Sequence, residues 1–475
     1  MSDLSEPGRP RRPDAIGAPS APPGAGARGE IFGHPTGLAF IVAVEAFWSF
    51  AYYGMVTLLT LYMTRQLFTP GHMEHVLGFG QYRATLEGVF GPMTPLAIAS
   101  QTFGLATGMI YALPILGGLV ADRWLGQRRT VVLGLIVQTA GHLLLVTEAG
   151  FLFALVLLIL GAGLVKSNLL GQLGRLYGTG DARRTRGFGL FLIAVNIGGF
   201  ITPLVCGTLG EKVGWRYGLM AAAVSMLLAL VAYIAGLRHF PPDSVRAPAT
   251  SRDPVSKPRL QTGETKIVVA ILFVLVGGML NTGTYNQAFN IFPVWAQAHI
   301  DLNLMGFQMP VTWFSALDGV LTILGTALAI RLWAWQAHQG REPSEVTRIA
   351  TGCAMTATAF LILAGASAAA GAGKAPILAG AAFFLFADFA IPWVDTITMA
   401  LISRAAPPKL NSTMLGVYFL FFAGGNFLVG WLGHFYEILT PAAFWLLHAS
   451  IGGGAALYLL AARRRLTAAL GLGAH

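Results

Sequence analysis

Charged side chains are scarce in this sequence. Of its 475 residues only 11% are Asp, Glu, Lys or Arg, whereas 55% are hydrophobic, and the mean hydropathy is +0.64. An average soluble protein has about 25% charged residues, which keep its surface solvated. The composition therefore excludes an ordinary soluble enzyme, and the apolar content excludes disorder over most of the chain.

Patterns that bind metals or nucleotides are also lacking. The two cysteines, Cys206 and Cys353, lie in apolar runs, so we expect no disulfide framework. No Walker loop is present, which argues against the use of ATP. The histidines His142, His434 and His448 are scattered, and there is no cysteine cluster. The sequence therefore predicts no metal site, no cofactor and no enzymatic activity.

Apolar runs of membrane-spanning length are abundant. A transmembrane helix needs about 20 such residues, and twelve runs of this kind recur along the chain. They lie at about 37–64, 96–121, 130–148, 150–174, 187–209, 216–237, 267–297, 311–336, 346–370, 376–402, 412–434 and 441–462. The sequence therefore predicts an all-α membrane protein with twelve transmembrane helices.

Polar segments flank and connect the predicted spans. Residues 1–34 are rich in Pro, Gly, Ala and Arg and are predicted to form a disordered tail, and 466–475 form a second tail. In the long connection between the first two spans, Tyr82, Leu86 and Val89 have helical spacing. We therefore expect a short interfacial helix there.

The basic residues are distributed unevenly over the loops. If the amino terminus is cytoplasmic, most of the 31 Lys and Arg residues fall on cytoplasmic loops, as the positive-inside rule requires. This bias predicts that both termini lie on the cytoplasmic side of an inner or plasma membrane. It also explains the net charge of +10 without a nucleic-acid partner.

A polar, Pro-rich and basic connection divides the spans into two groups of six. It covers residues 239–265, so that one six-helix half is expected at 35–238 and the other at 266–465. Secondary transporters of the major facilitator type have this plan and bind substrate between the halves, near the middle of the membrane. Channels, receptors and membrane-embedded acyltransferases rarely have it.

The loop after the second predicted span has a distinctive sequence. GGLVADRWLGQRR at 117–129 resembles the loop signature of the major facilitator superfamily. Gly117 and Gly118 would let neighbouring helices approach closely. The resemblance implies that the charged residues of this loop form a cytoplasmic network that locks one conformation. These residues are Asp122, Arg123, Arg128 and Arg129.

Further stretches resemble the proton-coupled oligopeptide transporter (POT) family. The most specific is GFGLFLIAVNIGGFITPLVCGTLGEKVGWRYG at 187–218. The others are EAFWSFAYYGM at 45–55, LVKSNLLGQLGRLY at 164–177, GFQMPVTWFSALDGVLTILGTALAIRLW at 306–333 and STMLGVYFLFFAGGNFLVGWLG at 412–433. The resemblance implies a major facilitator fold and proton-coupled uptake of small peptides or peptide-like compounds by alternating access.

The sequence departs from the pattern of that family at charged positions. Trp48 and Ser49 stand where the first-span motif of the family has a second Glu and an Arg. Asn286 stands where the family has an acid that pairs with the fourth-span Lys, and Asp318 replaces an Asn. A modified peptide or another small organic solute is therefore also compatible with the sequence.

Five charged residues lie inside predicted spans. They are Glu45, Lys166, Asp318, Asp388 and Asp395. Insertion of a charge into a membrane costs roughly 2.5–3.5 kcal/mol, so each of them is a functional candidate.

The resemblance implies roles for some of these charges. Glu45 would couple protons, and Lys166 would take part in coupling and hold a substrate carboxylate. Because Asn286 cannot pair with Lys166 as an acid would, we expect Asp318 or Glu45 to be its partner. Asp318 is also a candidate for a proton site or for binding a substrate cation.

Asp388 and Asp395 are seven residues apart in the tenth predicted span. We expect them to share nearly one helix face, and one of them to bind a substrate amine. Pro392 between them removes a backbone hydrogen bond and is expected to kink the helix.

Uncharged residues complete the expected substrate site. The resemblance assigns substrate contacts to Tyr52, Tyr53 and Asn196, although tyrosines in spans are otherwise often interfacial. Trp48 is expected to narrow the pocket, or else to pack on a neighbouring side chain. Asn286 and Gln287 are further candidates.

Two other functions fit the same sequence. One is a proton-driven exporter of drugs or metabolites with the same fold. The other is a transport-inactive membrane sensor or assembly subunit. For a transporter, the expected partners are the substrate, protons and membrane lipid, and a monomer is expected.

Overall fold

The structure is a computed structural model, and it describes residues 29–178, 180–243 and 262–471. Most of the predicted amino-terminal tail, the centre of the predicted linker and the last four residues lie outside the described residues.

The first half of the chain forms eight helices behind a short antiparallel ribbon. The ribbon pairs β1 (Glu30–Ile31) with β2 (His34–Pro35). The helices are α1 (Thr36–Tyr62), α2 (Phe79–Phe90), α3 (Pro95–Ala112), α4 (Pro114–Val120), α5 (Gln127–Leu145), α6 (Phe151–Arg175), α7 (Arg183–Thr202) and α8 (Trp215–Gly236). Helix α7 continues into π-helical turns that end at Val213.

The second half forms eight more helices and a second short ribbon, β3 (Asn303–Leu304) with β4 (Phe307–Gln308). The helices are α9 (Thr262–Tyr285), α10 (Ile291–His299), α11 (Phe314–His338), α12 (Glu345–Ala370), α13 (Ile377–Ile391), α14 (Ile397–Ala405), α15 (Asn411–Gly433) and α16 (Pro441–Ala469).

Within the described residues, eleven helical segments are long and apolar enough to cross a membrane. The third predicted span corresponds to α5, which is only 19 residues long and begins on Gln127, Arg128 and Arg129. It also contains Gln138 and His142, which lower its hydropathy. Helix α5 nevertheless packs against α6 and α8, so it belongs to the same bundle and completes the predicted set of spans.

The structure corrects one of the expected spans. The seventh, predicted at 267–297, is interrupted by a 3₁₀ turn at Asn286–Ala288 between α9 and α10. The tenth is one helical segment from Ile377 to Ala405, and it is distorted beside Pro392, where a π-helical turn joins α13 to α14. Pro392 has no amide hydrogen to donate, and a π-helical turn often lies where the regular hydrogen-bond ladder is broken.

The predicted chain ends are also corrected. The expected disordered tail runs to residue 34, but β1 and β2 pair within it. Helix α16 continues to Ala469, beyond the predicted end of the span at 462 and into the predicted C-terminal tail. Its last turns carry three arginines, which are good helix formers although they are too polar for a span.

The expected short helix between the first two spans is present as α2. Leu86 on this helix is buried and Val89 is exposed. The hydroxyl of Tyr82 lies 2.8 Å from Oγ1 of Thr102 on α3, so one face of α2 packs on the bundle.

Each half packs mainly within itself. Helix α1 contacts α7 and α8, and α12 contacts α13 and α16. The most extensive contacts between the halves are those of α3 with α15 and of α7 with α11. The first pair is in backbone contact, since a Cβ atom at Gly104 would lie 2.6 Å from the carbonyl oxygen of Asn426.

The two ends of the bundle differ. A large buried apolar cluster extends along the first half, and near one end of the bundle it includes residues of both halves, for example Leu59 and Phe151 together with Phe292 and Trp445. We call this the closed end. The loops around residues 121–129, 175–186 and 404–409 lie at the opposite end, which we call the arginine-rich end.

Candidate functional site

A cavity of about 270 Å³ lies between the two halves, close to the lower limit of about 300 Å³ for small-molecule sites. Both halves contribute to its wall. The rings that line it include Tyr52, Tyr53, Phe103, Tyr111, Tyr285 and Phe422. The amides are Asn196, Asn281, Asn286 and Asn426, and the acids are Asp318 and Asp395.

Helix α1 supplies an aromatic column on one side of this cavity. The ring of Trp48 stacks on that of Tyr52 at a centroid distance of 5.3 Å, and Tyr53 meets Tyr52 edge-on at 5.4 Å. The hydroxyl of Tyr52 lies 3.4 Å from that of Tyr111 on α3. Tyr52 and Tyr53 therefore line the cavity, whereas Trp48 lies behind them.

A partly buried ion pair lies behind the aromatic column. Nζ of Lys166 on α6 lies 2.7 Å from Oε1 of Glu45 on α1, and Glu45 is fully buried. Ser49 donates a hydrogen bond of 3.2 Å to the same oxygen. Nζ of Lys166 also lies 3.9 Å from the centre of the Trp48 ring, which is a favourable cation–π contact.

The pairing of Lys166 with Asp318, one of the two expected arrangements, is therefore wrong for this conformation. Glu45 is on α1, in the same half as Lys166, whereas Asp318 is on α11 in the other half. Neither Lys166 nor Glu45 lines the cavity. Trp48 donates its indole hydrogen to Oε1 of Gln138 at 2.7 Å, and this bond fixes the orientation of the ring beside Lys166 and Tyr52.

Two acids of the second half share one tyrosine. The hydroxyl of Tyr285 lies 2.6 Å from Oδ1 of Asp318 and 2.9 Å from Oδ1 of Asp388. Asp388 is fully buried, and its Oδ2 has no hydrogen-bond partner among the described residues. Asp318 lines the cavity, whereas Asp388 lies behind it.

A hydroxyl group has one hydrogen, so Tyr285 donates to one of these carboxylates at a time. The other short contact is a hydrogen bond only if that carboxylic acid carries a proton and donates to the phenolic oxygen. The geometry of this triad therefore fits one shared proton on the two acids.

Asp395 belongs to a different cluster. Tyr418 on α15 donates to Oδ1 of Asp395 at 3.3 Å, and Asp395 lines the cavity. The expectation that Asp388 and Asp395 share one face is wrong. The π-helical turn at Pro392–Thr396 adds a residue to the helical repeat and rotates the helix after it.

Two of the three candidate amides line the cavity, and the third does not. Asn286 lines the cavity and donates to Oδ1 of Asn426 at 3.0 Å. Asn196 also lines it and donates to the carbonyl of Leu192 at 2.8 Å. Gln287 is buried outside the cavity and donates to the carbonyl of Val429 at 3.0 Å.

Hydrogen bonds at the closed end join the halves. The carboxylate of Glu211 accepts bonds from the amides of Val311 and Thr312, each at 3.0 Å, and from Oγ1 of Thr312 at 2.6 Å. Asn290 accepts from Thr60 at 3.0 Å and donates to Ser100 at 2.6 Å.

These closed-end contacts were not anticipated from the sequence. The only signal was an acid, Glu211, at the end of an apolar run. It lies where the unpaired amides at the start of α11 attract a negative charge.

The loop signature forms only part of its expected network. Asp122, Arg123 and Arg129 are exposed and have no ion pair within the part of the chain that the structure describes. The backbone amide of Arg128 donates to Oδ1 of Asp243 at 2.8 Å, and its guanidinium bonds the carbonyl of Phe240.

Gly117 allows the predicted close helix approach, because a methyl group there would overlap the carbonyl oxygen of Gly163. Gly118 does not, since a Cβ atom there would make only an ordinary contact with Ser167.

Comparison with known proteins agrees with this architecture. The family described as the POT family matches residues 128–257 and 249–446. The chain belongs to the POT family.

Curated relatives of this POT-family chain include a di-/tripeptide transporter of Lactococcus lactis subsp. cremoris. It is 26% identical, over 93% of this chain and 97% of that protein. The peptide transporter YePEPT of Yersinia enterocolitica is also 26% identical, over 85% of this chain and 88% of that protein.

Solved structures confirm the fold. A crystal structure of a peptide transporter POT in complex with sulfate has a TM-score of 0.81 at 22% identity, and covers 94% of this chain and 98% of that one. A POT family transporter in complex with 5-aminolevulinic acid has a TM-score of 0.78 at 20% identity, over 92% and 98% of the two chains. This POT-family member is therefore a multi-pass membrane transporter with the major facilitator fold, and not an enzyme.

Sequence reasoning missed several cavity residues of this POT-family chain. Tyr111, Tyr285, Asn281 and Asn426 line the cavity but were not predicted to do so. Tyr285 directly precedes the candidate Asn286, and Asn426 follows two glycines in the eleventh span, so a signal was present beside both. Tyr111 carried no such signal.

Proposed function

We propose that this transporter carries small peptides or peptide-like compounds by alternating access, in symport with protons. The names of two curated relatives support peptides as the substrate class. Proton coupling is typical of the family. The single observation that carries the proposal is the cavity, whose wall combines two acids and four amides with four tyrosines.

A peptide would be held by complementary groups on the two sides of the cavity. Asp318 and Asp395 suit a substrate amine, because they are the acids that line the cavity. Asn196 and Asn286 suit a peptide bond, which needs one donor and one acceptor. We assign the peptide backbone to the amides and the amino terminus to the acids.

Proton coupling would use the buried charges beside the cavity. Protonation of Glu45 would remove the negative partner of Lys166 and free its ammonium group, 3.9 Å from the Trp48 ring, to attract a substrate carboxylate. In the second half, an amine that binds Asp318 would compete with the bond from Tyr285 and change which acid holds the shared proton.

Residues 35–238 and 266–465 would rock against each other around the cavity, linked by 239–265. The arginine-rich end would face the cytoplasm, with both termini on that side of the inner or plasma membrane, as the positive-inside rule requires. The described conformation would then be closed on the outside. Asp122, Arg123 and Arg129, which are exposed here, would pair when the cytoplasmic end closes.

Uptake by purified protein in liposomes tests this proposal. With a more acidic medium outside, we expect a neutral dipeptide to accumulate and the lumen to acidify in step. The matched control is the same dipeptide with an acetylated amino terminus, which cannot pair with Asp318 or Asp395 and should not accumulate. If a panel of dipeptides neither acidifies the lumen nor competes for binding, the proposal is wrong.

A further inference from the structure

Two histidines and an acid converge at the closed end, outside the cavity. Nδ1 of His72 lies 2.8 Å from Oε1 of Glu148, and Nδ1 of His75 lies 3.6 Å from Oε2 of the same carboxylate. All three ligand atoms lie within 4.8 Å of one another. The histidines follow the first span, whereas Glu148 lies in the hairpin between α5 and α6, so the fold alone brings them together.

The separations suit a shared metal ion. Two ligands bound to one zinc ion at about 2.0–2.1 Å in tetrahedral geometry lie about 3.3 Å apart. The observed distances of 2.8 and 3.6 Å bracket this value, so side-chain rotation would complete the site. Imidazole nitrogens and a carboxylate are ligands that Zn²⁺ accepts, and water can fill the fourth position.

The surroundings hold the ligands in place and leave a path from solvent. Gln66 donates to Oε1 of Glu148 at 2.5 Å, which is the kind of second-sphere bond that orients a metal ligand. The amide of Leu77 bonds the carbonyl of Ala149 at 3.2 Å and ties the two segments together. The side chains of His72 and His75 are 44% and 67% exposed, so an ion can enter.

We propose that His72, His75 and Glu148 form a binding site for a divalent transition-metal ion, represented by Zn²⁺. The ion would fasten the segment after the first span to the hairpin between α5 and α6. All three ligands lie in the first half of the transporter, so the ion would stabilise that half without bridging the two halves.

Zinc binding to the full-length protein, purified in detergent with a tag that contains no histidine, tests the site. We expect isothermal titration calorimetry to show one Zn²⁺ equivalent that is lost in His72→Ala/His75→Ala. In Glu148→Gln we expect affinity to fall at least about 10-fold, and in Gln66→Ala about 10-fold. The matched control is His338→Ala, which removes an exposed histidine at the other end and should leave binding unchanged.

A second measurement separates loss of the site from loss of the fold. His75→Ala removes a mostly exposed side chain and should keep the wild-type melting temperature in the absence of metal. Added Zn²⁺ should raise the melting temperature of the wild type but not that of His75→Ala. The proposal would be overturned if His72→Ala/His75→Ala and His75→Ala bound zinc as tightly as the wild type. It would also be overturned if zinc raised the melting temperature of His75→Ala as much as that of the wild type.

Discussion

The two sides of the cavity balance their buried charges in different ways. On the first half, Glu45 is paired with Lys166 at 2.7 Å, so the acid is neutralised by a cation of the protein. On the second half, Asp318 and Asp388 share the hydroxyl of Tyr285, and no cation of the described residues pairs with either. On the first side, Glu45 and Lys166 can therefore both stay ionised, because their charges cancel. On the second side, the two acids need one shared proton.

From this difference we expect the two sides of the cavity to have separate roles. A buried pair resists loss of either partner, because the remaining charge lacks compensation. A pair of acids that shares one tyrosine can gain or lose a proton without breaking an ion pair. We therefore expect substitutions on the first side to change mainly the stability of the protein. Substitutions on the second side should change mainly the dependence of uptake on the proton gradient.

The largest effect should come from the ion pair. Lys166→Ala leaves Glu45 buried without its cation, and we expect the free energy of unfolding to fall by about 3 kcal/mol and uptake to be lost. Chemical denaturation in detergent measures the first effect. The double variant Lys166→Ala/Glu45→Gln should recover most of the stability but not the uptake. If Lys166→Ala alone were as stable as the wild type, the ion pair would not have the stabilising role expected of the first side.

Opening of the closed end should be the next largest effect. Glu211→Gln replaces two charged acceptor oxygens by one neutral oxygen and an NH2 donor, so the amides of Val311 and Thr312 cannot both keep their hydrogen bonds. Bonds to a charged group contribute about 1.5–3 kcal/mol, so we expect a shift of about 10-fold toward a state open at this end. Distances between spin labels placed on either side of the closed end measure this shift. The control is Glu74→Gln, which changes an exposed acid in the same region. Equal distances in the two variants would show that Glu211 does not hold this end closed.

Substitutions in the shared-proton triad should change coupling more than stability. Asp388→Asn mimics a protonated acid, so we expect unfolding free energy within about 1 kcal/mol of the wild type. Exchange of substrate should continue, while accumulation driven by the pH gradient should be lost. The control is Asp301→Asn, an exposed acid outside the cavity. Wild-type accumulation by Asp388→Asn would remove Asp388 from the coupling mechanism.

Tyr285→Phe deletes the hydroxyl that both acids share. We expect a loss of about 1–3 kcal/mol, because Asp388 is left buried without its hydrogen-bond partner. Thermal unfolding of this variant should be compared with that of Tyr285→Phe/Asp388→Leu, in which the fully buried acid at 388 no longer needs a partner. If the two variants are equally unstable, the tyrosine acts through packing alone.

The smallest effect is expected at Trp48. Trp48→Phe keeps a ring beside Lys166 but loses the hydrogen bond to Gln138. We expect this to lower the free energy of unfolding by about 1 kcal/mol. The same loss in Gln138→Leu, and no further loss in the double variant, would show that this one bond accounts for the effect. Additive losses would show that it does not.

The sequence predicted the fold well, because span length, basic loops and the polar linker are local properties. Pro392 likewise indicated a break in its helix. The partner of Lys166 could not be chosen, since both Glu45 and Asp318 lie in spans and only helix packing separates them. The different directions of Asp388 and Asp395 depend on one extra residue in a π-helical turn, which spacing alone does not reveal.

Contacts made by the backbone were also beyond sequence reasoning. Glu211 bonds the amides of Val311 and Thr312, and every residue except proline has such an amide. The triad was missed for a related reason. Tyr285, Asp318 and Asp388 lie on three different helices, and no motif connects them.

The position of Trp48 has an electrical consequence. The centre of its indole ring lies 3.9 Å from Nζ of Lys166 and 5.3 Å from the centre of the Tyr52 ring, so the ring is in contact both with a cation and with the wall of the cavity. While Glu45 is ionised, the two charges form a dipole whose field decays quickly. If Glu45 became neutral, the field of Lys166 would reach the cavity through the ring and would attract an anionic solute before any atoms touch. The cavity would then be sensitive to the protonation of a residue that does not line it.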